Sequence, residues 1–207
     1  EEREALLLRA QKEAEAINKY VCSEIIECKN KVIMPGLVNA HIHYSHHLSK
    51  GLIPDNLGGS PWSNYIHGKV SPYIEAHNEV VAAKAVLLEV LKGGSTSFLE
   101  AGSYHPFETM ESEIQKIGIK GRTCRRSFDY SSLGHSSALL EDCEHILKIH
   151  KEFLDKYLNE DLPIKPNVTI VGMGRFSDKL IIESKKMADK YGVNLNLHLA
   201  NYLETVN

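Results

Sequence analysis

The chain has 207 residues, with 24 Lys and Arg against 27 Asp and Glu, and this formal net charge of -3 argues against a nucleic-acid-binding or polybasic membrane surface. Hydrophobic residues at 43%, charged at 25% and aromatic at 7% describe a globular domain with a sizeable core and exclude disordered or fibrous classes. No apolar run approaches the roughly 18 residues of a membrane span, and Glu1-Glu2-Arg3-Glu4 is no signal peptide, so a cytoplasmic protein is expected.

Cys22, Cys28, Cys124 and Cys143 form no C-x-x-C pair and read as reduced thiols. Histidine is the outlier: of 11 in the chain, His41, His43, His46 and His47 fall within seven positions.

From residue 1 to about 20, Leu7, Ala10, Ala14 and Ile17 recur at three- and four-residue steps, which predicts an amphipathic helix. Residues 23–34 alternate around Lys29-Asn30 like a hairpin, and Pro35-Gly36 ends them. Residues 37–43 are a strand candidate, followed by a long irregular segment with Gly51, Pro54, Gly58, Gly59 and Pro61. Asn78 is expected to cap a helix with Val81, Ala85, Leu88 and Leu91 on its stripe, closed by Gly93-Gly94. Residues 95–100 then form a strand. The same grammar continues with a helix over 106–117, a strand over 119–124, a helix over 138–158, one strand from 165 to 172, a helix over 178–191 closed by Gly192, and a strand from 193. Helices alternating with about five strands imply crossover units and a parallel sheet. No G-x-G-x-x-G follows a strand and no G-x-x-x-x-G-K-[ST] is present, which removes the usual phosphate-binding reading of such a sheet.

His41 and His43, two apart on a strand, leave the same face at its carboxyl end, where parallel α/β folds carry their chemistry. His198 ends a later strand in the same way. Three such imidazoles with an open position form a catalytic metal arrangement, although an H-x-H pair alone is a weak signal.

The stretch Pro35-Gly36-Leu37-Val38-Asn39-Ala40-His41-Ile42-His43 resembles the first metal motif of the amidohydrolase superfamily, P-G-[LF]-[VI]-[ND]-x-H-x-H, at the exit from a small β domain into a barrel. The resemblance continues through Lys50-Gly51-Leu52, through residues 88–100, and through residues 191–200, similar to G-x-x-[LI]-x-x-H-x-A-E. It covers about residue 21 to the end and is nearest to the branch that deaminates or dechlorinates nitrogen heterocycles. It implies an α/β fold: the amino-terminal half of a (β/α)8 TIM-type barrel, strands 1 to 5, over residues 36–207, with residues 1–35 a helix and a remnant of the small β domain. By this resemblance His41, His43 and His198 are metal ligands, and two more, a His and an Asp, would lie beyond Asn207. Half a barrel leaves strand edges unpaired and the metal short of ligands, so the chain alone is expected to be inactive.

Family members with two metals bridge them with a carboxylated Lys at the end of the fourth strand. Here no Lys ends residues 168–174, so one divalent ion, Zn or Fe, is implied, acting through metal-activated water on a nucleobase-like or triazine-like heterocycle. Asn201 stands where the deaminase branch has its proton-shuttling Glu, and Asn cannot act as acid or base. The catalytic acid-base residue is therefore unassigned. Hydrolysis of a cyclic or linear amide, or a non-catalytic barrel relative with an assembly role, stay open beside deamination. A second departure is the lack of a substrate-binding His after the fourth strand.

His46, where relatives have a ring-contacting Gln, Trp62 in the long loop and Arg175 after the fourth strand are the substrate-binding candidates. For each, a solvated, packing or surface role is the alternative. His67, His77, His105, His135, His145 and His150 read as surface or loop residues, and Arg122, Arg125 and Arg126 as a solvated basic face. The partner expected is a small molecule, with no nucleic acid or membrane and with homo-oligomerisation left open.

Overall fold

The computed structural model describes residues 2–19, 24, 26–130 and 140–199. Two units divide the chain, Glu1–Pro35 and Gly36–Asn207. In the first, helix α1 (Glu2–Lys19) buries none of its residues and carries an Arg9–Glu13 pair one turn apart. The hairpin does not form among the described residues. A turn is present, with Asn30 at φ 59° and Lys31 N–H donating to the Cys28 carbonyl, but Val32 and Ile33 stay 90% and 80% exposed, so no burial drives pairing.

The second unit alternates strand and helix. Strands β1 (Leu37–Ile42), β2 (Ser95–Glu100), β3 (Lys120–Thr123) and β4 (Ile164–Pro166) form one parallel sheet in that order. Strands β5 (Val168–Gly172) and β6 (Leu195–His198) form a second parallel pair. The single strand expected over 165–172 is thus two, giving six strands among the described residues where about five were expected. Pro166 has no N–H for the ladder, and Asn167 N–H donates to the Thr123 carbonyl at 2.8 Å while Val168 already turns to the Asn194 carbonyl. All five residues of β5 are buried, as a parallel strand covered on both faces requires.

The segment after β1, expected to be irregular, is largely helical instead: a 3-10 helix (Ser45–Ser49), a seven-residue helix α2 (Gly59–Tyr65), a π-helical stretch (Ile66–Val70) and a 3-10 turn (Ser71–Tyr73) precede α3 (Ala76–Lys92). Glu75, not Asn78, caps α3: the Glu75 carboxylate accepts from the third helical N–H, and Asn78 reaches back to the Glu75 N–H. The buried stripe of α3 is Glu79, Ala82, Ala83, Leu87 and Val90, whereas Val81 and Leu88 are 61% and 52% exposed. Apolar residues surround this helix, so periodicity alone does not select its inward face.

The helix expected over 106–117 is a single turn, α4 (Glu111–Ile114), flanked by 3-10 turns at Phe107–Thr109 and Gln115–Ile117 and stopped by Gly118 at φ 75°. Of the helix expected over 138–158, positions 138 and 139 lie outside the described residues, and helix α5 (Cys143–Tyr157) begins after its cap Asp142, which accepts from Glu144 N–H and His145 N–H. Helix α6 (Asp178–Tyr191) is capped by Ser177 and ends at left-handed Gly192. Leu87, Phe98, Phe107, Ile114, Phe153 and Ile164 join the four-stranded sheet to its helices, while Ile146, Ile170 and Leu180 join α5 and α6 to the β5–β6 pair. Each such fully buried side chain contributes about 1.5–3 kcal/mol.

A Cβ on Gly121 of β3 would run into the ring of Phe98 on β2. Gly121→Ala is therefore expected to lower stability by about 1–3 kcal/mol, read as a drop in urea midpoint. An unchanged midpoint would mean that Phe98 has room to move.

Candidate metal centre

All the strand ends that matter lie on one rim. His41 and His43 project from the end of β1 with ring centroids 4.8 Å apart, and His198 ends β6 with its ring 4.8 Å from His41 and 5.2 Å from His43. One ligand nitrogen from each of the three lies within 4.8 Å of the others. Gly172 at the end of β5 permits this approach: a Cβ there would sit 2.9 Å from the His198 carbonyl oxygen and 3.0 Å from its Cβ.

The proton positions follow from the hydrogen bonds. His198 Nδ1 lies 2.7 Å from the Val171 carbonyl, so Nδ1 carries the proton and Nε2 presents a lone pair. His43 Nε2 is 3.2 Å from that Nε2. Two nitrogens on one tetrahedral zinc, each bonded at about 2.05 Å, are separated by roughly 3.3 Å. The donor set fits a borderline-soft divalent ion.

Burial, and then the Arg126 charge, lower the pKa of all these imidazoles: His41 modestly, His43 well below its usual value, and His198 to about 4. Neutral rings at physiological pH are what a metal requires. His46 is likewise held well down by burial and Arg126. Its ring lies tilted over His43 with centroids 4.2 Å apart and meets Trp62 edge-on at 5.9 Å. A cavity of about 400 Å³ opens beside His46 and Trp62, lined further by Ser49, Pro54 and Leu57. Arg175, just past β5, is 4% exposed and lowers the His198 pKa through its charge. It is not a surface residue. Asn201 lies outside the described residues, as does His135.

Several residues were misjudged from sequence. Arg126 is not on a solvated face: it is 6% exposed and donates through Nη1 to Tyr104 Oη at 2.8 Å and to His46 Nε2 at 3.3 Å. Its position three residues after β3, on the same rim as the histidines, was the available signal. Arg125 pairs with Glu141 at 2.8 Å. His67 and His150 are buried, 3% and 1% exposed, against Tyr104 and Ser127 respectively. Arg126→Met is expected to raise the pKa of His46 and His198 in the metal-free protein, read by NMR titration of the ring protons, because a positive charge that lowers both is removed. Unmoved titration curves would count against Arg126 as the source of that field.

A parallel wall carrying three imidazoles at its carboxyl rim, arranged so that they could hold a metal ion, defines the amino-terminal half of a (β/α) barrel. The family described as Amidohydrolase family matches residues 32–207, and the chain belongs to it. That family is metal-dependent. Among curated proteins the chain is 24% identical over 193 residues to the 5-methylthioadenosine/S-adenosylhomocysteine deaminase of Bacillus cereus, covering 91% of this chain and 42% of that protein. It is 29% identical over 187 residues to the 5'-deoxyadenosine deaminase of Methanococcus aeolicus, covering 88% and 41%. The chain thus spans about two fifths of the relatives it matches. In structure it is similar to guanine deaminase from C. acetobutylicum with bound guanine, at TM-score 0.72 and 21% identity over 82% of this chain and 40% of that one. It is also similar to the zinc complex of atrazine chlorohydrolase from Arthrobacter aurescens, at TM-score 0.69 and 20% identity over 80% and 40%. Among the described residues, no helix is long and apolar enough to cross a membrane.

Proposed function

We propose that the protein to which this chain belongs is a metal-dependent hydrolase that deaminates a nucleobase-like or triazine-like nitrogen heterocycle. The observation that carries this reading is the convergence of His41, His43 and His198, three imidazoles held neutral, one of them aligned by the Val171 carbonyl. The names of the relatives, deaminases and a triazine chlorohydrolase, favour the same substrate class. His41, His43 and His198 would hold one ion, Zn or Fe. Such an ion supplies water activated to a pKa of about 7. His46, fixed by Arg126, and Trp62 would flank a flat ring, and Arg175 would donate to a carbonyl or other acceptor on it. No residue among those described is assigned the proton transfer.

Amide hydrolysis keeps one specific observation in its favour, Asn201 at the position of the family's Glu. Ammonia release separates the two. Guanine, adenosine derivatives and amino-triazines are incubated with the protein; ammonia from one of them, lost on adding a chelator and regained with zinc, is expected. Hydrolysis of a cyclic amide with no ammonia from any heterocycle would replace the deaminase reading.

A further inference from the structure

Away from His41, His43 and His198, between the Phe107 turn and α5, lies a cavity of about 490 Å³ that His150 helps to line, within the size range of small-molecule sites. Its lining comes from Pro106, Phe107 and Glu108 of the 3-10 turn before α4, from Arg125 past β3, and from Ile149 to Lys156 of α5. Phe107 and Phe153 line it, with ring centroids 5.4 Å apart, and Tyr157 packs edge-on to both at 5.1 and 5.5 Å. A further flat ring would extend this aromatic cluster.

Arg125 supplies the polar side. Its Nη2 holds Glu141 at 2.8 Å, but Nε and Nη1 are buried and have no hydrogen-bond partner among the described residues. Buried donors left unmade cost about 1–3 kcal/mol each, so this wall calls for an acceptor oxygen. The charges decide which kind. Glu141 already neutralises Arg125, and Lys156 on the rim is paired with Glu108 at 3.2 Å. A ligand carboxylate would meet Glu141 as a like charge, whereas a carbonyl would not. We propose that this cavity is a second ligand site, for a neutral aromatic molecule bearing a carbonyl oxygen, with its ring against Phe107 and Phe153 and its oxygen on Arg125.

Benzamide is the probe, titrated into the protein with its phenylalanine ring signals followed by NMR. Saturable shifts at Phe107 and Phe153 are expected, with toluene, which lacks the acceptor, at least about tenfold weaker. Ile149→Trp fills the cavity from α5 and should abolish the shifts, while a His43→Ala, His198→Ala variant should keep them, which separates this site from the metal centre. If Ile149→Trp fails to fold, intermolecular NOEs between benzamide and the Phe153 ring decide the same point. Absence of saturable shifts at millimolar benzamide, shifts that persist in folded Ile149→Trp, absence of those NOEs, or benzoate binding as tightly as benzamide would each overturn the proposal.

Discussion

If the full-length protein is the metal-dependent hydrolase proposed above, its His43→Ala, His198→Ala variant is expected to lose metal, from about one divalent ion per chain to background by elemental analysis after gel filtration, and with it any hydrolytic activity. The two Nε2 atoms lie 3.2 Å apart, and His41, His43 and His198 are the one group of three His, Cys, Asp or Glu side chains among the described residues whose ligand atoms lie within 4.8 Å of one another. Removing both leaves one exposed imidazole, and a single ligand does not retain a divalent ion through gel filtration. The fold should survive. Both side chains are partly exposed strand-end groups, and the cores built on Leu87, Ile146 and Leu154 do not include them. An unchanged metal content in the variant would move the centre elsewhere. Loss of metal together with loss of the cooperative urea transition would instead make these rings structural. A complementary change separates ligand orientation from ligation: loss of the Val171 hydrogen bond would leave the imidazole in place with the wrong tautomer, at a cost in affinity of about 10–100-fold.

The second large effect belongs to Glu100, and it is an effect on stability with pH. Glu100 ends β2, is fully buried, and is raised from 4.5 to about 8 by burial, with the nearby Glu79 adding to the rise and the Gly102 N–H and Thr123 hydroxyl opposing it. Glu79, also buried, accepts from the Tyr104 and His105 N–H groups at 2.9 and 2.8 Å. Burial raises Glu79 as well, and those two donors oppose the rise, whereas Glu100 is raised to about 8. A group whose folded pKa is raised stabilises the fold fully below its unfolded pKa and ceases to do so as pH rises through the folded pKa. The window is therefore about pH 4.5 to 8, with stability falling across it by roughly 3–5 kcal/mol. Glu100→Gln imitates the protonated form and should flatten the urea midpoint between pH 5 and about 8.5, making the variant the more stable protein at the alkaline end. A parent and variant with parallel slopes would assign the pH dependence to another group.

How much of this was legible beforehand depends on the kind of interaction. The pairing of His41 with His43 follows from strand alternation, and their place at a carboxyl end follows from Pro35-Gly36 opening the strand and Gly93-Gly94 closing the next helix. The buried polar network was not legible. Arg125 and Arg126 are adjacent in sequence, yet one pairs with Glu141 beside the outer cavity and the other reaches Tyr104 and His46 at the inner rim. Adjacent residues past a strand end diverge, and nothing local states which side each will face. His150 looked like a surface residue of an amphipathic helix. It is buried and lowered to about 4 by burial, beside Ser127.

The order of strands and helices, the parallel topology and the identity of the three converging histidines were determined by the sequence itself, because periodicity, glycine stops and motif spacing are local properties of the chain. Only the tertiary structure decided the break of the fourth expected strand at Pro166-Asn167, the inward face of α3, the burial of Glu79 and Glu100, and the fixing of His46 by Arg126. Each of these depends on what lies across the barrel wall. Burial and long-range hydrogen bonding are set by neighbours distant in sequence, such as the 80 positions that separate His46 from Arg126.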